Sequence, residues 1–128
     1  TLLIGYGNTL RRDDALGVRV AERLGGLACH QLTPELAPLV ATAERVVFVD
    51  ASCDGESRCL RIHPAGSLTG LHSISPEQLL AFAALYRDTP QEAFLVTGRG
   101  FDFSHGEGLS QLACASLDAV VKTATQLL

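Results

Sequence analysis

Short apolar runs and helix-type segments alternate along the whole chain, and that alternation restricts the fold more than any other feature of the sequence. Strands separated by helices pair in parallel through crossover connections, so the pattern predicts an α/β protein with a sheet covered on both faces. Thr1-Leu2-Leu3-Ile4, stopped by Gly5, reads as a buried first strand. Asp13 is placed to cap a helix over roughly 14–24, with Leu16, Val20 and Leu24 on one face and Gly25-Gly26 as its stop. Leu27 to Leu32 suits a second strand, and Thr33-Pro34-Glu35 opens a short helix ending near Ala43. Val46-Val47-Phe48-Val49 is the most strand-like segment and runs into Asp50.

The second half continues the pattern with one exception. Residues 58–63 alternate like a strand with one solvated face, and the connection from Asp50 is too short for a parallel crossover, so an antiparallel partner is expected. Ser75-Pro76-Glu77-Gln78 supplies a capping box with Pro at the first helical position, followed by Leu79, Phe82, Ala83 and Tyr86 at amphipathic spacing. Ala93 to Val96 is a further strand ending at Gly98. A loop with Phe101, Phe103 and His105 leads to Ser110, which caps a last helix carrying Ala113, Leu117, Val120, Val121, Ala124 and Leu128 on one face. With 128 residues there is room for one domain, 1–128, and no repeat or linker divides it.

Composition removes several classes of function. Apolar residues at 47% and charged residues at 19% exclude a disordered or fibrous chain. No apolar run approaches the roughly 20 residues of a membrane span, and no secretory signal is visible, which together predict a cytoplasmic protein. Net charge is −4 and the basic residues form no stripe, so nucleic acid is disfavoured as a partner. Cys29, Cys53, Cys59 and Cys114 lack zinc-site spacing and read as small, mostly buried free thiols, with a Cys53–Cys59 bridge as the lesser alternative.

In open α/β sheets the loops beyond the carboxyl ends of the strands hold the ligand. That rule selects the loop after the first strand, the Asp50 corner, and the segment before the Ser75-capped helix. These contribute Asp14, Asp50 and His72, and two carboxylates with one imidazole can share a divalent cation while leaving positions open for substrate or water. Each residue also has a plainer reading. Asp13 and Asp14 suit a helix start, and His72 and His105 suit surface loops. His30 and His63, inside predicted strands, read as structural. No G-x-S-x-G or P-loop occurs. Gly5-Tyr6-Gly7 falls short of a dinucleotide fingerprint because Leu10 stands where the third Gly belongs.

Leu3-Ile4-Gly5-Tyr6-Gly7-Asn8-Thr9-Leu10-Arg11-Arg12-Asp13-Asp14-Ala15-Leu16-Gly17 resembles the signature of the [NiFe]-hydrogenase maturation endopeptidases: a strand, G-x-G-N, a spacer, then D-[D/E]-[G/A]-x-G opening a helix. Val47-Phe48-Val49-Asp50-Ala51, His72-Ser73, Thr97-Gly98 and Gly106-x-Gly108-Leu109-Ser110 follow in the same order, so the likeness spans nearly the whole chain. Ala15 stands where many members carry Gly.

The resemblance implies a three-layer α/β/α sandwich around a twisted, five-stranded, mostly parallel sheet with one antiparallel strand. It further implies an endopeptidase that trims the C-terminal extension of a hydrogenase large-subunit precursor. Nickel carried by that precursor would be read by Asp14, Asp50 and His72, with no organic cofactor, in the cytoplasm. In that role the metal would polarise the scissile carbonyl or activate a water, and one carboxylate could serve as general base. The loop 64–74, with Pro64, Gly66 and Gly70, would shift as substrate docks. Two other classes compete. One is a non-proteolytic metal-binding or chaperone module using the same trio. The other is a nucleoside-phosphorylase-like enzyme, for which Arg11-Arg12 would have to serve a phosphate site.

Overall fold

The structure is a computed structural model and describes residues 1–53, 55–66, 74–86, 90 and 92–128. Five strands form one sheet: β1 (Leu2–Tyr6), β2 (Leu27–Cys29), β3 (Arg45–Ser52), β4 (Arg58–Arg61) and β5 (Glu92–Arg99). They lie in the order β2-β1-β3-β5-β4. All neighbouring pairs are parallel except β4 with β5, the antiparallel exception expected from the short connection after Asp50.

Helices α1 (Leu16–Leu24) and α4 (Gln111–Leu127) cover one face of the sheet. Helices α2 (Ala37–Ala41) and α3 (Pro76–Ala83) cover the other. This is the predicted three-layer sandwich. Val46, Val47, Phe48 and Val49 are wholly buried because the central strand is covered on both faces. Phe48 and Val46 join Ile4, Val40 and Leu79 in one core, while Val47 and Val49 join Leu16, Val20 and Val120 in the other. Truncating Phe48 to Ala would cost about 3–5 kcal/mol on this account. No described helix is long and apolar enough to cross a membrane.

Several boundaries move for identifiable reasons. Helix α1 begins at Leu16 after a 3₁₀ turn over Arg12–Ala15, and Asp13 does not cap it, because its carboxylate is committed elsewhere. The helix stops as expected at Gly25, which takes the left-handed conformation at φ 71°. Strand β2 ends at Cys29 rather than Leu32, an edge strand paired on one side only. Strand β5 runs past Gly98 to Arg99, because Thr97, Gly98 and Arg99 go on pairing with Asp50, Ala51 and Ser52. Gly98 is therefore no stop. A Cβ there would collide with Leu16 and Val120, the side chains of α1 and α4 that meet over it.

Strand β4 spans only Arg58–Arg61, and all four of its residues are exposed, so the expected one-sided burial is absent from this outer strand. Helix α3 has the predicted capping box, with Ser75 accepting from the Gln78 amide and the Gln78 side chain accepting from the Ser75 amide. It ends at Ala83, which leaves Tyr86 beyond the helix and exposed. Ser110 caps α4 through the Ala113 amide.

Close backbone packing fixes the start of α1 against the sheet. A Cβ on Gly5 would overlap the Gly17 carbonyl, and a Cβ on Gly17 would overlap the carbonyl of Val49. A Cβ on Gly7 would overlap the carbonyl of Asp14. Three glycines of the opening motif thus let the turn bearing Asp14 press onto the carboxyl ends of β1 and β3.

Candidate active site

Asp14 stands on the 3₁₀ turn before α1, where the Asn8 amide donates to its Oδ2 at 2.7 Å. Asn8 is itself held in a tight loop: its carbonyl accepts from the Arg11 amide, and its side-chain oxygen accepts from the Leu10 amide. The G-x-G-N segment therefore grips one carboxylate oxygen of Asp14 and leaves the other without a protein partner among the described residues.

Asp50 closes the buried run of β3, one residue beyond Val49, and its Oδ1 accepts from the Ala51 amide at 2.8 Å. Burial pushes its pKa up to about 6; the Ala51 amide and the Tyr6 hydroxyl pull it down, and the charge of Asp14 pushes it up again. The two carboxylates selected from sequence are thus close enough to feel one another. Tyr6 faces Asp50 from the end of β1. Burial, then the charge of Asp50, raises its phenol well above the usual tyrosine range, with further contributions from Glu77 and Cys29. The hydroxyl therefore keeps its proton and acts as a donor toward Asp50.

Asp13, the neighbour of Asp14, has a different task. It is completely buried, and its Oδ2 accepts from the Phe101 amide (2.7 Å), the Asp102 amide (2.8 Å) and the Ser110 hydroxyl (2.7 Å). Its Oδ1 accepts from the Ser110 amide at 2.7 Å. Burial alone would raise its pKa, but the donors of Ser110, Phe101 and Asp102 outweigh that and hold it below the ordinary carboxylate value. One acid of the pair is a structural clamp on the loop over 100–110; the other keeps one carboxylate oxygen without a protein partner among the described residues.

The same loop takes up the arginines of the opening motif. Arg12, left-handed at φ 38°, donates its amide to the Gly106 carbonyl, and its guanidinium faces Asp102. Arg11 donates its Nε to the Phe103 carbonyl. Neither is arranged around a phosphate cradle, and this removes the basis of the phosphorylase-like reading.

His72 lies outside the described residues, as does most of the loop 64–74 (residues 67–73). Among the described residues no group of three metal-ligating side chains occurs; of the trio, Asp14 and Asp50 lie within electrostatic reach of one another. His105 is exposed on the loop over 100–110. His30 and His63 are exposed just past the ends of β2 and β4, which corrects their reading as structural strand residues. All four cysteines are free, but Cys53, Cys59 and Cys114 are exposed rather than buried, and only Cys29 is partly buried. Tyr6 and Glu77 went unrecognised in the sequence. Two-residue alternation from Ile4 would have pointed Tyr6 to the same face as Asp50.

Neither a scan of protein-family models nor a search of curated proteins finds a match. Solved structures do match over the full length. Hydrogenase maturating endopeptidase HybD from Escherichia coli superposes with a TM-score of 0.74 at 20% identity, over 96% of this chain and 88% of that one. The [NiFe] hydrogenase maturation protease HycI from Thermococcus kodakarensis gives 0.73 at 22% identity, over 99% and 90%. HybD from the same archaeon gives 0.72 at 21%, over 98% and 97%. End to end, the chain is built on the fold of the [NiFe]-hydrogenase maturation proteases.

Proposed function

We propose that this chain is an endopeptidase that removes the C-terminal extension of a nickel-loaded [NiFe]-hydrogenase large-subunit precursor in the cytoplasm. One observation supports the reading: Asp14 and Asp50, remote in sequence, feel each other's charge near the carboxyl rim of a sheet whose fold is that of the maturation proteases.

Nickel enters as cargo of the substrate. Asp14 has a carboxylate oxygen uncommitted among the described residues, and Asp50 sits two residues before the end of β3, beside a neutral phenol. Hard carboxylate oxygens with the imidazole of His72 suit a borderline divalent ion. Mutual repulsion of the two acids makes a cation the natural third partner, because it relieves the cost of ionising Asp50 beside Asp14. Docking the loaded precursor would set its metal next to the scissile carbonyl, where it polarises that carbonyl or activates the attacking water. An acid of the pair not fully engaged by metal can take the proton of the water and return it to the leaving amine.

The test is the set of single variants Asp14→Ala, Asp50→Ala and His72→Ala. Each is expected to abolish processing of nickel-loaded precursor while leaving the circular dichroism spectrum unchanged. Full cleavage by any of them would remove that residue from the metal-reading set.

A further inference from the structure

A cross-strand row on one face of the sheet leads from the site to an unassigned cation. Asp50 pairs in register with Thr97, and Thr97 pairs with Arg58. Asp50 lies two residues beyond Phe48, and Thr97 two beyond Leu95, so both lie on the face that α2 and α3 cover. Tyr6 begins the same row on β1, one residue past the Gly5–Val49 pair. Beside Thr97 the row opens into a hollow of about 280 Å³ lined by Ser52, Gly55, Glu56, Arg58, Leu60 and Thr97.

Arg58 is exposed. Its amide donates to Thr97 Oγ1, but its guanidinium has no ion pair or hydrogen bond among the described residues. Arg19, Arg23 and Arg45, by contrast, are each paired with an acid. An exposed arginine whose guanidinium has no partner among the described residues, lining a hollow that also holds a carboxylate, Glu56, and an apolar wall, Leu60, is poorly suited to a lone anion. A peptide unit fits better, because it offers a carbonyl to the arginine and an N–H to the glutamate.

We propose that this hollow binds the precursor polypeptide beside the cleaved bond, with Arg58 donating to a main-chain carbonyl or carboxylate oxygen of the substrate. The proposal rests on the peptidase reading and adds a binding residue to it. Strands lie about 4.8 Å apart, so Asp50 and Arg58, two strands from each other, are separated by roughly 10 Å. Extended chain covers that in about three residues. Arg58 thus contacts the substrate about three positions from the metal-bound end of the site.

Steady-state cleavage of nickel-loaded precursor by wild type, Arg58→Ala and Arg58→Lys tests this. Arg58→Ala is expected to raise KM on the order of tenfold, with a far smaller change in kcat and an unaltered melting temperature. Arg58→Lys, which keeps the charge but loses the fork, is expected to recover part of the loss. Binding of metal-free precursor is expected to weaken in Arg58→Ala as well, because the contact is to polypeptide and not to nickel. An unchanged KM in Arg58→Ala, or a fall in kcat together with melting temperature, overturns the assignment while leaving the peptidase reading intact. Failure of the wild type to cut the precursor overturns both.

Discussion

The carboxylate of Asp13 accepts both the amide and the hydroxyl of Ser110, 97 residues further along the chain. Through that contact the turn bearing Asp14 is tied to the start of α4. With the amides of Phe101 and Asp102 on the same carboxylate, the loop over 100–110 is held against the opening motif. Asp13→Ala leaves three amides and a hydroxyl without their acceptor in a part-buried setting, each costing up to about 1–3 kcal/mol where water cannot replace it. The expected outcome is a fall in melting temperature on the order of 10 °C or more, measured by calorimetry. Ser110→Ala, which keeps the amide bond but loses the hydroxyl and the cap of α4, should cost about 1–2 kcal/mol.

Asp13 also contributes to the acid sensitivity of the fold. Its folded pKa lies below its unfolded value, so the stability it contributes is fully present above about pH 4 and is lost as pH falls through the lower folded value. Acid unfolding of Asp13→Asn should therefore depend less steeply on pH than that of wild type below about pH 4. Parallel slopes for the two proteins in that range would contradict the clamp.

Asp50 runs the other way. Its pKa is raised to about 6, so the folded state holds a proton that the unfolded chain has already released between about pH 4 and 6. Stability from this group falls as pH rises across that window and the cost is complete above it. Asp50→Asn should thus be more stable than wild type at pH 7, by up to about 3 kcal/mol, and no more stable at pH 4. Cleavage by wild type should rise with pH up to about 6 and then level, because the metal-reading form is the carboxylate.

The turn carrying Asp14 depends on the absence of a side chain at position 17. Gly17→Ala would force a methyl into the Val49 carbonyl and displace the start of α1 from β3. About 2–3 kcal/mol of destabilisation is expected, with loss of processing even where the variant remains folded. Thermal melts alongside cleavage assays at a temperature well below the midpoint separate the two effects.

Much of the architecture was legible because local and global signals agree. The Val46–Val49 run demanded a strand covered on both sides, and the Ser75 capping box and the Gly25 stop set helix ends by their own chemistry. Asp14 and Asp50 were found by asking which acids end strands or follow them. Three features were not legible. Asp13 looked like a helix cap, because its real partners lie about 90 residues away and no local pattern announces them. The full length of β5 was hidden by Gly98, whose role is to admit Leu16 and Val120 and not to end a strand. Tyr6 lies beyond the strand stop expected at Gly5, whereas β1 runs on through it and its alternation aims it at Asp50.

Nickel-dependent trimming is decided by intact-mass measurement of a hydrogenase large-subunit precursor, with and without nickel, before and after incubation with this protein. The nickel-loaded form is expected to lose the mass of a C-terminal peptide, the nickel-free form to keep its full mass, and Asp14→Ala to leave both unchanged. Nickel-loaded precursor that is bound but keeps its full mass, or that is trimmed equally by Asp14→Ala, would contradict nickel-dependent trimming through Asp14.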